Sequence, residues 1–263
     1  ALQKEFAEAG SHVIYAPTFS ANAVKLREYG LEDRIGQMNQ ELVAISKEAA
    51  GGKCLVAGDL TMTGEQLAPM GTMDFEELVN IYKEQIGYLV NAGADLLVVE
   101  TMMSLQESRA ALIAAKECCD LPVMVTMTFE SDGRTLYGTD AKTAAVVLES
   151  LGASAIGANC STGPDKMAEI ITAMAEVSSV PIIAKPNAGL PFLDKNGNTS
   201  YDMDSDTFAD GMVKLVEAGA SILGGCCGTS PEYIGKLKER THQEAGQEIS
   251  HIGKENCRVR FRR

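Results

Sequence analysis

A chain of 263 residues, 45% hydrophobic and 22% charged, can bury the core of one α/β barrel or of two ordinary domains, and no shift in composition divides it. The net charge of −13 argues against a nucleic-acid partner, since phosphate binding needs a basic surface. Seven cysteines, an odd number in no dense framework, argue against a disulfide scaffold. With no run of about 18 apolar residues and no leader in view, no membrane attachment is expected, and a cytoplasmic setting with reduced thiols is.

Residues 2–10 read as the last turns of a helix, and 11–17 form the first β-branched run. A second run at 54–60 is followed by Asp74 and Glu77 at capping-box spacing, which predicts a helix start, and Ala92-Gly93-Ala94 closes that helix before a third run at 95–101. Ser104 and Glu107 repeat the capping-box spacing ahead of a helical stretch at 105–119, and a fourth run follows at 122–129. Gly152-Ala153 ends the next helix before a fifth run at 155–160. In the helix after Pro164, Met167, Ile170, Ile171, Met174 and Val177 form one apolar stripe that reads as core. A sixth run lies at 181–187 and, after Ala218-Gly219-Ala220, a seventh at 221–227; Ser230-Pro231 then caps a last helix with proline at its first position. Residues 241–263 carry five Lys/Arg and three Asp/Glu without helical period, so they read as a basic, disordered tail.

Short β-branched runs alternating with amphipathic helices imply parallel strands covered by helices, an α/β protein. Seven such strands behind an opening helix predict a (β/α)8 TIM-type barrel in residues 1–240 with its first strand missing; an open doubly wound sheet is the alternative. The barrel is favoured because Asp59, Glu100, Cys160, Asn187, Cys226 and Cys227 fall at the C-terminal ends of successive strands, where barrel enzymes build their sites.

Three of the cysteines have a setting that the others lack. Cys160 lies in Gly157-Ala158-Asn159-Cys160-Ser161-Thr162-Gly163-Pro164, and the doublet in Gly224-Gly225-Cys226-Cys227-Gly228-Thr229-Ser230-Pro231. Adjacent residues of a regular strand point to opposite faces, so Cys226 and Cys227 share a metal only where the backbone bends, and Gly224, Gly225 and Gly228 are expected to supply that freedom. Three thiolates on zinc leave a fourth tetrahedral position open, which is the catalytic pattern. Cys118-Cys119 is an internal control: a doublet near a helix end without glycines, it reads, like Cys54, as structural thiol.

Around these residues the chain resembles the homocysteine S-methyltransferase family, and most of all the homocysteine-binding barrel of its cobalamin-dependent members. The matching segments are Pro17-Thr18-Phe19-Ser20-Ala21-Asn22, Gly58-Asp59-Leu60-Thr61-Met62-Thr63-Gly64, Val99-Glu100-Thr101-Met102, Tyr137-Gly138-Thr139-Asp140, Gly157-Ala158-Asn159-Cys160, Lys185-Pro186-Asn187-Ala188-Gly189 and Gly224-Gly225-Cys226-Cys227-Gly228-Thr229. The resemblance implies a zinc-dependent methyltransferase in which Cys160, Cys226 and Cys227 hold Zn2+ and Glu100 holds the amino group of homocysteine. It also implies that the amide oxygen of Asn187 occupies the fourth metal position until substrate arrives. Asn159 and Asp59 join Glu100 and Asn187 as candidate substrate-binding residues. Zinc would keep the substrate thiol ionised at neutral pH although a free thiol has a pKa of about 8.5, and three protein thiolates would keep its sulfur electron-rich, ready to take an activated methyl group and yield methionine. The donor implied is methylcobalamin carried on a separate corrinoid protein or domain and not bound by this chain alone. Betaine or S-methylmethionine as donor, and an inactive zinc-binding partner subunit, are the alternatives. The chain departs from the family where Ile14-Tyr15-Ala16-Pro17 stands in place of an acidic residue with polar partners, and in lacking the first strand with its Asp-Gly loop.

Overall fold

Strands and helices alternate along the computed structural model, which describes residues 1–248, with side chains to residue 241. A short helix, α1 (Leu2–Glu8), leads into β1 (Val13–Tyr15), followed by α2 (Ala23–Arg27), a 3-10 turn (Glu32–Arg34) and α3 (Ile35–Ala50). Next come β2 (Leu55–Leu60), α4 (Phe75–Asn91), β3 (Leu96–Met102), α5 (Leu105–Cys118), β4 (Val123–Met127) and α6 (Ala141–Ser150). β5 (Ala155–Asn159), α7 (Pro164–Ala175) and β6 (Ile182–Lys185) precede a hairpin of β7 (Pro191–Leu193) and β8 (Thr199–Tyr201). α8 (Ser205–Glu217), β9 (Ala220–Leu223) and α9 (Pro231–Glu248) end the order.

Among the described residues, seven strands form one parallel sheet in the order β1-β2-β3-β4-β5-β6-β9. Each strand adds to the same side of the one before it, so the sheet has no point of reversal; that is barrel winding, and it removes the doubly wound alternative. The sheet curls far enough for Lys185 Nζ on β6 to sit 3.9 Å from the ring centre of Tyr15 on β1. The architecture is an α/β half-barrel consistent with a TIM-type barrel. Its helical layer runs on past the sheet, because α1 packs against both α3 and α9, with the Lys238 side chain lying on Gly10.

Strand parity sorts the side chains into two cores. Ala57, Val98, Met124, Ala155, Ile183 and Ile222 fill the concave face, where Val98 pairs with Met124 and Ile183 with Ile222. Their neighbours Leu97, Val99, Val125, Met127 and Ile156 face the helices. α4 answers with Leu78, Tyr82, Ile86 and Leu89, spaced three and four apart and all fully buried, each such aliphatic contributing roughly 1.5–3 kcal/mol.

Some expectations change at element ends. Met167, Ile170, Ile171 and Met174 are buried as a stripe, but α7 stops at Ala175 and leaves Val177 in the following turn, 39% exposed. Asp74 caps α4 by accepting from the backbone N–H groups of Glu76 and Glu77. α9 continues to Glu248, into the segment expected as a tail, and residues 249–263 lie outside the described part. No described helix is long and apolar enough to cross a membrane.

Candidate metal centre

β5 ends at Asn159 because the next two residues, Cys160 (φ 64°) and Ser161 (φ 62°), take the left-handed conformation that residues other than glycine rarely adopt. Cys160 N donates to Lys185 O at 3.1 Å, which fixes this turn to the end of β6. The doublet is tied to the same place: Cys226 N donates to Pro186 O and Ala188 N to Cys227 O, both at 2.9 Å. Of the three glycines expected to loosen this turn, only Gly228 has a left-handed φ, 82°, and a Cβ there would lie 2.4 Å from Tyr201 Cγ. Gly224 and Gly225 serve by being small, since a Cβ would approach Lys185 Cγ to 3.1 Å and Thr229 Oγ1 to 2.4 Å respectively.

These turns bring three sulfurs together. Cys227 Sγ is 3.9 Å from Cys160 Sγ and 4.0 Å from Cys226 Sγ, and all three lie within 4.8 Å of one another. Zinc–sulfur bonds of about 2.3 Å in a tetrahedron place sulfurs about 3.8 Å apart, so the donor set fits that ion. It is the one cluster of its kind among the described residues. Cys118 ends α5 and Cys119 caps it, their sulfurs directed at the carbonyls of Lys83 and Ala115. As free thiols the three differ. The Cys226 thiol holds Cys160 below the ordinary range against the effect of burial; Cys160 and burial raise Cys226, and burial raises Cys227.

Beside the sulfurs the concave face carries a charged group that the sequence did not reveal as a unit. Glu100 and Lys185 form an ion pair through Oε2 and Nζ, each side chain 12% exposed. Lys185 is the residue given no role beforehand, although a lysine closing the buried strand Ile182-Ile183-Ala184 needs a partner, and that need was the available signal. Burial works against its charge, but Tyr15, Glu100 and Asp59 outweigh burial and raise its pKa. Tyr15, at the site of the family departure, provides the ring under the ammonium; burial pushes its hydroxyl up to about 12, with Lys185 opposing. Asp59 is buried, its Oδ1 without a hydrogen-bond partner among the described residues, and burial followed by the Glu100 charge raises its carboxyl well above the usual range.

The two asparagines are both buried. Asn187 Oδ1 accepts from Cys227 N at 3.1 Å, so it holds the turn of the cysteine doublet from the loop that follows β6. The Asn159 amide is bonded entirely inside the protein, to Thr101, Thr126 and Cys226. Thr101 itself is left-handed at φ 60°, where the pairing of β3 with β4 shifts register between Val99 and Met102.

The family model for homocysteine S-methyltransferase matches residues 1–241. Methionine synthase of Mycobacterium leprae is 30% identical over 245 residues, and that of Mycobacterium tuberculosis 31% over 245 residues. Each alignment takes in 89% of this chain but 20% of the relative, so the chain spans about a fifth of the length of these curated relatives. The fold is shared with the homocysteine methyltransferase MmuM from Escherichia coli: its oxidized form superposes with a TM-score of 0.77 at 20% identity, over 91% of this chain and 82% of that one. The metallated form of MmuM gives a TM-score of 0.75 at 20% identity, over 91% and 83%. With its model matched from residue 1 to 241, this chain belongs to the homocysteine S-methyltransferase family.

Proposed function

We propose that this chain is the homocysteine-activating part of a zinc-dependent S-methyltransferase that forms methionine. The convergence of Cys160, Cys226 and Cys227 at the C-terminal rim, in a chain of this family, carries the reading. Those three thiols would hold Zn2+, which supplies ionisation of a substrate thiol at neutral pH. The Glu100 carboxylate, with the buried Asp59 carboxyl beside it, offers the wall next to the thiols a partner for a substrate ammonium. Glu100 is the residue proposed to hold it, sharing its oxygens with Lys185. The Asn187 amide oxygen, which accepts one bond from Cys227 N–H, keeps a second lone pair for the placeholder role at the metal. The substrate sulfur forms its bond to the methyl carbon as the donor bond to that carbon breaks, its electron pair staying with the donor. Methylcobalamin on a separate corrinoid protein or domain is the proposed donor, and the greater length of the methionine synthase relatives supports a partner module of that kind.

Metal analysis tests the first half: about one zinc per chain is expected, lost on Cys160→Ser, Cys226→Ser or Cys227→Ser and retained in Cys118→Ser and Cys119→Ser. An assay with homocysteine tests the second, methionine being expected from methylcobalamin. Turnover with betaine or S-methylmethionine alone would replace the donor, and zinc binding without turnover from any of the three would leave a binding subunit.

A further inference from the structure

Asn159 is fully buried at the last position of β5, and its side chain meets β3, β4 and the turn after β9 at once. Its Oδ1 accepts from Thr101 N at 2.9 Å and from Thr126 Oγ1 at 2.8 Å. Its Nδ2 donates to Thr101 Oγ1 at 2.8 Å and lies 3.7 Å from Cys226 Sγ, within the range of a hydrogen bond to sulfur. A side-chain amide has two acceptor sites and two N–H groups, so all four are taken and none is left for substrate. Two of the four go to Thr101, a β-branched residue at φ 60°. That conformation is costly for threonine and persists only where its surroundings over-determine it. Gripping both the N–H and the hydroxyl of Thr101 is such a restraint, and Glu100 is the residue immediately before it.

We infer that Asn159 is a positioning residue that locks the strained Glu100-Thr101 bulge to the thiol of Cys226, so that the substrate-facing carboxylate and the metal-facing sulfur are set by one amide. This assignment rests on the metal reading above and moves Asn159 from substrate contact to support. It separates two jobs within the residue. The oxygen holds the Thr101 backbone in place, and the nitrogen donates to a sulfur whose electron density decides how tightly it binds a metal.

Asn159→Asp divides these jobs, because a carboxylate keeps both acceptor bonds but cannot donate to Cys226 or to Thr101 Oγ1. The readout is the protein loaded with Co2+, through its thiolate-to-cobalt absorption and its affinity in competition with a chelator. A shifted band and an affinity about 10- to 100-fold weaker are expected, as for loss of other residues that support metal ligands. Thr126→Val, which frees one side of the amide oxygen, should shift the band the same way by less, and it serves where Asn159→Asp does not fold. The second arm is a double-mutant cycle on homocysteine affinity. Asn159→Ala should weaken binding less in a Thr101→Gly background, where glycine takes the left-handed conformation unaided. An unchanged cobalt spectrum and affinity in both Asn159→Asp and Thr126→Val, or additive losses in the cycle, would overturn the assignment. Wild-type protein that takes up no cobalt would instead sink the metal reading on which it rests.

Discussion

A buried carboxylate is tolerated when its oxygens are hydrogen-bonded, and Glu107 meets that condition through one atom. Its Oε1 accepts from Thr63 N at 2.7 Å, Thr63 Oγ1 at 2.8 Å and Tyr82 OH at 3.0 Å. Spacing alone made it the partner of Ser104 in a capping box. Ser104 does cap α5, accepting from Glu107 N at 3.3 Å, but the Glu107 carboxylate is drawn to a loop 44 residues earlier that no local pattern could indicate. Glu107→Ala should therefore cost about 2–4 kcal/mol in chemical denaturation, and Tyr82→Phe about 1 kcal/mol. The reverse order would show that the hydroxyl, not the carboxylate, anchors the loop. Distance in sequence likewise hid the Glu100–Lys185 pair, whose members are 85 residues apart. Glu100→Gln should raise the homocysteine Kd about 10- to 100-fold with zinc content unchanged, as expected for loss of a charge-assisted bond. Equal affinity, measured by calorimetry, would remove Glu100 from the substrate site. The thiols were legible because glycines frame them and the control doublet lacks such a frame.

Elements were legible where one period ran long enough. Parallel strands covered on both faces read as unbroken apolar runs, and β2 to β5 emerged within a few residues of their sequence limits. The β7–β8 hairpin escaped notice because each strand has three residues and β7 is exposed at all of them, so neither a period nor an apolar run marks it. Helix packing shows its tolerance through two glycines. On α4, a Cβ at Gly87 would meet nothing within 4 Å; on α8, one at Gly211 would lie 2.8 Å from Pro164 Cβ of α7. Gly87→Ala should stabilise by about 0.5–1 kcal/mol, the helix-propensity gain. The same change at Gly211 should destabilise by about 1–3 kcal/mol because α7 and α8 must part. Thermal unfolding of the two variants checks both signs, and a stabilised Gly211→Ala would mean that α7 yields at no cost.

For the molecule as a whole, the order of strands followed from chain order, while the degree of curl did not. Curl is what sets Tyr15 of β1 against Lys185 of β6, and no property of either strand alone announces it. It also leaves a titration signature. With its pKa raised from 10.0 to about 12, Tyr15 stays neutral in the fold while the unfolded chain ionises, so stability falls as pH rises through that window. Tyr82, raised in the same direction by burial, adds to the loss. Tyr15→Phe should flatten the decline in denaturation midpoint between about pH 10 and 12, and an unaltered slope would show that the Tyr15 hydroxyl is open to solvent in the fold.

Thr101, Cys160 and Ser161 are the three residues other than glycine with left-handed backbones among those described; Cys160 belongs to the sulfur cluster, Ser161 follows it, and Thr101 is tied to it through Asn159. Each carries roughly 1–2 kcal/mol of conformational cost that glycine would not. Heat selection blind to turnover would accordingly be rewarded for introducing glycine at 101 or 161, next to Glu100 and Cys160. Thermostable lineages obtained that way would have traded away the shape of the centre. A campaign to harden this protein should hold those three positions constant and seek its gains at sites such as Gly87.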